Sequence, residues 1–135
     1  MHRGILSVRP EKNVVLHFQS PAATALCCRE GPVDFNVLPE IPFYIGEVGW
    51  VPYRLPGSPE LAEATTGVMS RCDLALLQNH GLVTTAEDLD HAVQNAQFFE
   101  LACEIIVRNG EAVSRLSSDT VAELRALGKG EPTAG

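Results

Sequence analysis

The segment from Cys72 to Thr85 constrains the fold of this chain more than any other. Its apolar run Leu74–Leu77 predicts a short buried strand, and a second apolar pair follows directly after His80 and Gly81. A glycine at that point permits a positive φ and leaves space for a neighbouring group. The pattern therefore predicts two strands that turn at a histidine whose ring faces a cleft. The alternative is a histidine whose ring bonds the backbone of its own turn.

A second histidine stands at the end of another predicted strand. The β-branched and aromatic run 14–18 predicts a buried strand, and the pair Ser20–Pro21 after it predicts the start of a helix. Residues two apart in a strand point the same way, so the side chains of His17 and Gln19 are expected to share one face. Two predicted strands thus each place a histidine near one end.

The remaining periodic segments predict helices. The pair Ser58–Pro59 repeats the start signal and precedes helically spaced apolar residues. An apolar stripe over Leu89–Val107 predicts the longest helix, with Thr85 as its cap, Asp88 completing a partial capping box and Gly110 just past its end. Strands that alternate with helices indicate the α/β class.

The stretch 33–45 gives a poor signal, because two prolines argue against a central strand there. We expect a short strand at Val37–Leu38 and an edge strand or loop at 43–45. Glu47 follows in a glycine-rich segment, so its carboxylate is expected on a flexible loop.

Composition excludes several classes of function. The 135 residues carry a formal net charge of −7 and a pI near 5.0, so no basic stripe is present to bind a nucleic-acid backbone. No apolar run approaches the roughly 20 residues that span a bilayer, and no signal peptide is expected. The four cysteines show no C-x-x-C spacing, which disfavours a zinc knuckle and favours a reduced, cytoplasmic setting.

The two histidines are the best candidates for a functional site. Open sheets bind ligands at strand ends, and imidazole nitrogens suit Zn²⁺ and related ions. A catalytic zinc usually takes three protein ligands, so the hypothesis needs a further donor: the amide oxygen of Gln19, or the carboxylate of Glu47 if its loop folds in. The alternative is that His17 and His80 are satisfied in separate surroundings, with rings more than about 8 Å apart.

Several ordered blocks of the sequence together resemble the class II aldolase/adducin family, which includes fuculose-phosphate and rhamnulose-phosphate aldolases and ribulose-phosphate 4-epimerase. The resemblance runs from His2 to about Asn109. The matching blocks, in order, are His2 with Arg9-Pro10, residues 14–21, Ala23-Thr24-Ala25, Pro52-Tyr53, residues 56–61 and residues 77–82.

The resemblance implies a fold. It is a three-layer α/β/α domain with a central, mostly antiparallel sheet and without the N-terminal part of the family's domain. Residues 1–128 are expected to form this partial domain, and residues 129–135 are expected to form a flexible tail.

The resemblance also implies a metal site. In that family a His-x-His pair and a later histidine before glycine hold a divalent metal, usually zinc. The first histidine of the pair matches His17, and the later one matches His80. Gln19 stands where the family has the second histidine of the pair. A neutral amide oxygen is a weaker ligand than imidazole, so we expect lower metal affinity or a preference for harder ions.

The activity implied is retro-aldol cleavage of a ketose 1-phosphate to dihydroxyacetone phosphate and an aldehyde. A pentulose-phosphate 4-epimerase and a non-catalytic adducin-like interaction module are alternatives. The family's acid/base glutamate and phosphate-binding loops precede the position of His2. The sequence is therefore expected to be a fragment, to start late or to have lost the reaction, with Glu47 as a speculative substitute base. The implied partners are a small phosphorylated sugar and further copies of the chain in a homotetramer.

Overall fold

A computed structural model describes residues 1–128 of the protein; the expected tail at 129–135 lies outside the described residues. Helices and strands alternate along the chain. In order, the elements are α1 (His2–Val8), β1 (Val14–Phe18), α2 (Pro21–Cys27), a π-helical turn (Ile41–Ile45), β2 (Val48–Val51), α3 (Pro59–Met69), β3 (Leu74–Leu77), β4 (Gly81–Ala86), α4 (Leu89–Asn109), a 3-10 turn (Gly110–Ala112) and α5 (Ser118–Gly128). None of the helices in this described part is long and apolar enough to cross a lipid bilayer.

The four strands form one sheet in the order β1-β4-β3-β2. Strand β4 pairs antiparallel with both β1 and β3, whereas β2 runs parallel to β3. The mostly antiparallel sheet that the family resemblance implies is therefore confirmed. Because β4 runs antiparallel to β1, the start of β4 lies beside the end of β1.

Helices cover both faces of the sheet, as expected for three layers. Along β3, Leu74 and Leu76 pack toward α2 and α4 on one face, and Ala75 and Leu77 pack toward α1 and α3 on the other. This alternation follows from the two-residue period of a strand. All four side chains are buried, so β3 is apolar throughout because it has no solvent-facing side.

The short strand expected at Val37–Leu38 and the edge strand or loop expected at 43–45 are wrong, whereas the exclusion of a central strand from this stretch is confirmed. Val37 and Leu38 lie in a turn, and Ile41–Ile45 is helical instead of an edge strand. Ile41 and Ile45, which are four positions apart, are both buried in the core beside α4. Burial at this helical spacing outweighs the strand propensity of the intervening aromatic residues.

The start of α4 is also shifted relative to the prediction. Thr85 lies inside β4, where its hydroxyl donates to the carbonyl of Val14. The helix begins after Asp88, whose carboxylate accepts the backbone N–H of His91. Gly110 ends the helix as predicted. The buried face of α4 is also rotated relative to the predicted stripe, because Leu89 and Val107 are exposed.

Candidate metal centre

The pairing of β1 with β4 brings the two histidines together. His17 lies opposite Val83 in this pairing, and His80 immediately precedes the first residue of β4. Their ring centroids are 5.0 Å apart, with the rings edge to face at 85°. Because zinc–nitrogen bonds are about 2 Å long, one ion can contact a nitrogen of each ring at this separation.

The β4 backbone fixes the tautomer of His17. Its Nδ1 lies 2.7 Å from the carbonyl oxygen of Leu82. A carbonyl oxygen only accepts, so Nδ1 carries the proton and donates it. The lone pair is therefore on Nε2, which remains free to bind a cation. Metal-binding histidines in proteins are commonly oriented by such a bond from their other ring nitrogen.

His80 presents a buried nitrogen with an unmet hydrogen-bonding capacity. Its Nδ1 is inaccessible to water and finds no hydrogen-bond partner among residues 1–128. Burial, and then the nearby His17, lower the pKa of His80. Both causes favour the neutral imidazole, which is the form that binds metals. An unpartnered buried ring nitrogen is satisfied by a cation placed beside it.

The turn before β4 is shaped to present His80. Asn79 has a φ of 55°, in the left-handed region that asparagine tolerates better than most residues. Its backbone N–H donates to the carbonyl oxygen of Cys27 in α2. The N–H of His80 donates to the carbonyl oxygen of Leu77. The turn is thus held both by its own strand and by α2.

Gln19 lies beside the pair and bonds the backbone of His80. Its Nε2 donates to the His80 carbonyl oxygen at 2.5 Å. The side chain crosses Gly81, where an added Cβ would lie 2.9 Å from Gln19 Cγ and 2.9 Å from the carbonyl oxygen of Phe18. The Gln19 side chain therefore lies near both histidines, next to His17 in the sequence and bonded to the backbone of His80.

Glu47 does not lie at the histidine pair. It precedes β2, whose first residue Val48 pairs with Leu74 at the start of β3, whereas His80 follows the end of β3. The side chain of Glu47 is 62% exposed and its carboxylate lies 4.0 Å from Arg71. The parallel direction of β2 and β3 therefore separates Glu47 from the histidines, and the role of substitute base does not fit the structure.

The two imidazoles brought together here are two of the three protein ligands that a catalytic zinc usually takes. Within residues 1–128, no group of three or more histidine, cysteine, aspartate or glutamate side chains is arranged to hold a metal ion. This described part of the chain therefore offers two imidazoles, His17 with a free Nε2 and His80 with an unpartnered Nδ1.

Two contacts that support this region carry no local sequence signal. The carbonyl of Leu82 is a backbone group that any residue would supply, and only the β1–β4 register places it at His17. Glu100 of α4 accepts the N–H groups of Ala22 and Ala23 at 2.8 and 2.9 Å, and so caps α2 directly after Gln19 and Ser20. Ser20 itself, the predicted cap, makes no capping bond.

The sequence of the chain matches one protein family over most of its length. Residues 1–107 match the family model of the class II aldolase and adducin N-terminal domain. The chain belongs to the class II aldolase and adducin family. The resemblance seen around His17 and His80 is thereby confirmed.

Two kinds of curated enzyme are similar to this class II aldolase-family chain. It is 34% identical to the 3-oxo-tetronate 4-phosphate decarboxylase of Pectobacterium atrosepticum, over 91% of this chain and 59% of that protein. It is 32% identical to the L-fuculose phosphate aldolase of Haemophilus influenzae, over 74% of this chain and 46% of that protein. The chain thus spans only about half to six-tenths of these relatives' length.

Solved structures show the same fold. The crystal structure of YgbL from Klebsiella pneumoniae superposes with a TM-score of 0.84 at 32% identity, over 91% of this chain and 62% of that one. An L-fuculose 1-phosphate aldolase structure reaches a TM-score of 0.75 at 20% identity, over 90% of this chain and 60% of that one, which shows the shared fold alone.

Proposed function

We propose that this chain carries the metal-binding part of a carbon–carbon lyase that decarboxylates a phosphorylated 3-oxo sugar acid. The observation that carries this proposal is the edge-to-face pair of His17 and His80, with ring centroids 5.0 Å apart. The substrate class is supported by the similarity to 3-oxo-tetronate 4-phosphate decarboxylases, which includes a relative 31% identical over 95% of this chain.

Zinc or another divalent cation, held by His17 and His80, would supply a Lewis acid at the ketone oxygen of the substrate. Neighbouring groups in this chain favour the neutral or correctly protonated form of each imidazole. The Leu82 carbonyl holds the proton of His17 on Nδ1. Burial, and then the nearby His17, lower the pKa of His80 and so favour its neutral form.

Decarboxylation and retro-aldol cleavage make the same demand on such a site. In both, the bond that breaks lies one carbon from the ketone, and its electrons pass to the ketone oxygen. Retro-aldol cleavage also needs a base to take a hydroxyl proton, whereas loss of carbon dioxide does not. Glu47 lies at the other end of the sheet, so it is not the residue that would take that proton at the histidines.

Cleavage of a ketose 1-phosphate is the second candidate, supported by the similarity to L-fuculose phosphate aldolase. A non-catalytic role is the third, since the chain is also 28% identical to rat alpha-adducin over 80% of its own length. The products distinguish the first two: carbon dioxide from the sugar acid, or an aldehyde from the ketose phosphate.

Calorimetric titration of the metal-free protein with zinc tests the metal-binding proposal. We expect one ion per chain, and losses in the His17→Ala and His80→Ala variants greater than the roughly 10–100-fold that changes around a metal's ligands cause. His91→Ala is the matched control, because His91 is exposed on α4 and its Nδ1 lies 2.8 Å from the carboxylate of Asp88, away from the histidine pair.

Equal zinc binding by the wild type and both site variants would contradict the metal centre. Release of carbon dioxide would contradict the aldolase, release of an aldehyde would contradict the decarboxylase, and either product would contradict the non-catalytic role. Light scattering on the same preparation tests the homotetramer that the family resemblance implies.

A further inference from the structure

We propose that Gln19 is a positioning residue that ties the end of β1 to the turn carrying His80, and that it is not the third metal ligand. This inference rests on the proposed metal-binding role of His17 and His80. It assigns the amide a function that differs from the ligand role expected from its place in the sequence.

The direction of the hydrogen bond carries the argument. The partner of the Gln19 amide is the carbonyl oxygen of His80, at 2.5 Å. A carbonyl oxygen only accepts, so the amide must present its nitrogen there. The side chain is committed to the backbone of the very residue whose imidazole faces His17.

The backbone around Gly81 is fitted to this contact. A Cβ at position 81 would lie 2.9 Å from Gln19 Cγ and 3.7 Å from its Nε2. The missing side chain of Gly81 therefore gives Gln19 its path across the strand end. Glycine is required at this position by close approach, since Gly81 does not have a positive φ.

The hydrogen bond from Gln19 gives the backbone of His80 a second point of attachment. The N–H of His80 donates to the carbonyl of Leu77 within the turn. The carbonyl of His80 accepts from the amide of Gln19, which directly follows β1. His17 is held by Leu82 in the same pair of strands. Hydrogen bonds between the two strands thus hold both histidines, and the Gln19 amide helps to set the distance between the two rings. Groups that orient metal ligands in this way typically contribute about 10–100-fold to metal affinity.

Gln19→Glu separates the two possible roles of this residue. If Gln19 is a ligand through its oxygen, a carboxylate binds a divalent cation more strongly and zinc affinity rises. If it is a positioning residue, the carboxylate cannot donate to the His80 carbonyl and repels it, so zinc affinity falls about 10–100-fold. Gln19→Met, which removes the donor without adding charge, should lower the affinity in the same way.

Gln78→Glu is the matched control. Gln78 lies in the same turn, and its Oε1 accepts the N–H of Tyr53, a bond that a carboxylate oxygen retains. We expect zinc affinity in this variant to stay within about threefold of wild type or to rise slightly, because added negative charge attracts the cation. A fall in Gln19→Glu alone then reflects the lost donor.

Measurements on the metal-free protein keep this inference separate from the metal proposal. Long-range proton–nitrogen spectra report the state of each imidazole, and hydrogen exchange reports the His80 amide. Gln19→Met should shift the His80 ring signals and speed exchange at His80, whether or not zinc binds. Raised zinc affinity in Gln19→Glu, or unchanged His80 signals in Gln19→Met, would overturn the positioning role.

Discussion

The Nδ1 atom of His17 lies 2.7 Å from the carbonyl oxygen of Leu82, on the strand that pairs with β1. This bond leaves Nε2 as the nitrogen of His17 that can bind a cation, in a ring whose centroid lies 5.0 Å from that of His80. Strand β4 therefore has two functions, because it orients one imidazole through its backbone and carries the other directly before its first residue.

Replacing Gly81 by alanine should destabilise the protein by about 1–3 kcal/mol, because the new Cβ would lie 2.9 Å from the Phe18 carbonyl oxygen and cannot be relieved without moving β1. Urea unfolding measures the change. Gly67→Ala is the control, because nothing lies within 4 Å of a Cβ built there. Alanine inside a helix should raise the free energy of unfolding by about 0.5–1 kcal/mol. Equal effects at the two positions would contradict the close approach.

Replacing Glu100 by alanine should cost about 1–2 kcal/mol, because the N–H groups of Ala22 and Ala23 at the start of α2 would lose their acceptor. Thermal or urea unfolding gives the value. Glu104→Ala, one turn further along α4, removes only an exposed pair with Arg108 and should stay within about 0.5 kcal/mol of wild type. A loss at Glu104 as large as that at Glu100 would argue against the capping role.

Acid should destabilise the metal-free protein through His80. Its pKa is lowered from the ordinary 6.5 by burial and then by His17. Between the lowered pKa and 6.5 the unfolded chain binds more protons, so stability rises with pH across that window. The stability that neutral His80 contributes is fully present above pH 6.5 and is lost as the pH falls through the lowered pKa of His80. Urea unfolding of wild type and His80→Gln from about pH 8 to about pH 5 should therefore diverge below pH 6.5. Parallel curves would contradict this.

Only Cys28 should react quickly with a thiol reagent in the native protein. Of the four free cysteines, Cys28 is exposed and the others are buried. Burial raises the pKa of Cys27 to about 12 and also raises that of Cys103, which keeps both thiols protonated. Titration with Ellman's reagent should show one fast thiol in wild type and none in Cys28→Ser. Two fast thiols in wild type would contradict the burial of the other three cysteines.

Much of the frame that holds the site could be predicted from the sequence. The runs at 14–18 and 74–77 become β1 and β3 because both are short and apolar, and the first is also rich in β-branched and aromatic residues. Ser58 caps α3 through its hydroxyl, as the Ser-Pro pair predicts. The placement of His17 and His80 at strand ends follows from these local patterns.

The errors come from contacts that are distant in sequence. Thr85 has the chemistry of a helix cap, but pairing of β4 with two neighbours buries it inside the sheet. Ser20 has the same chemistry, yet Glu100, 78 positions from Ala22, caps α2 instead. The sequence allows Glu47 to reach the histidines only if its glycine-rich loop folds in, and the parallel β2–β3 register places it at the other end of the sheet.

The bond between His17 and Leu82 joins residues 65 positions apart. The pair of imidazoles therefore forms only when β1 docks on β4, which requires closing a long loop at an entropic cost. An ion shared by the two rings would act as a cross-link across that long loop, and would slow the release of the edge strand from the sheet.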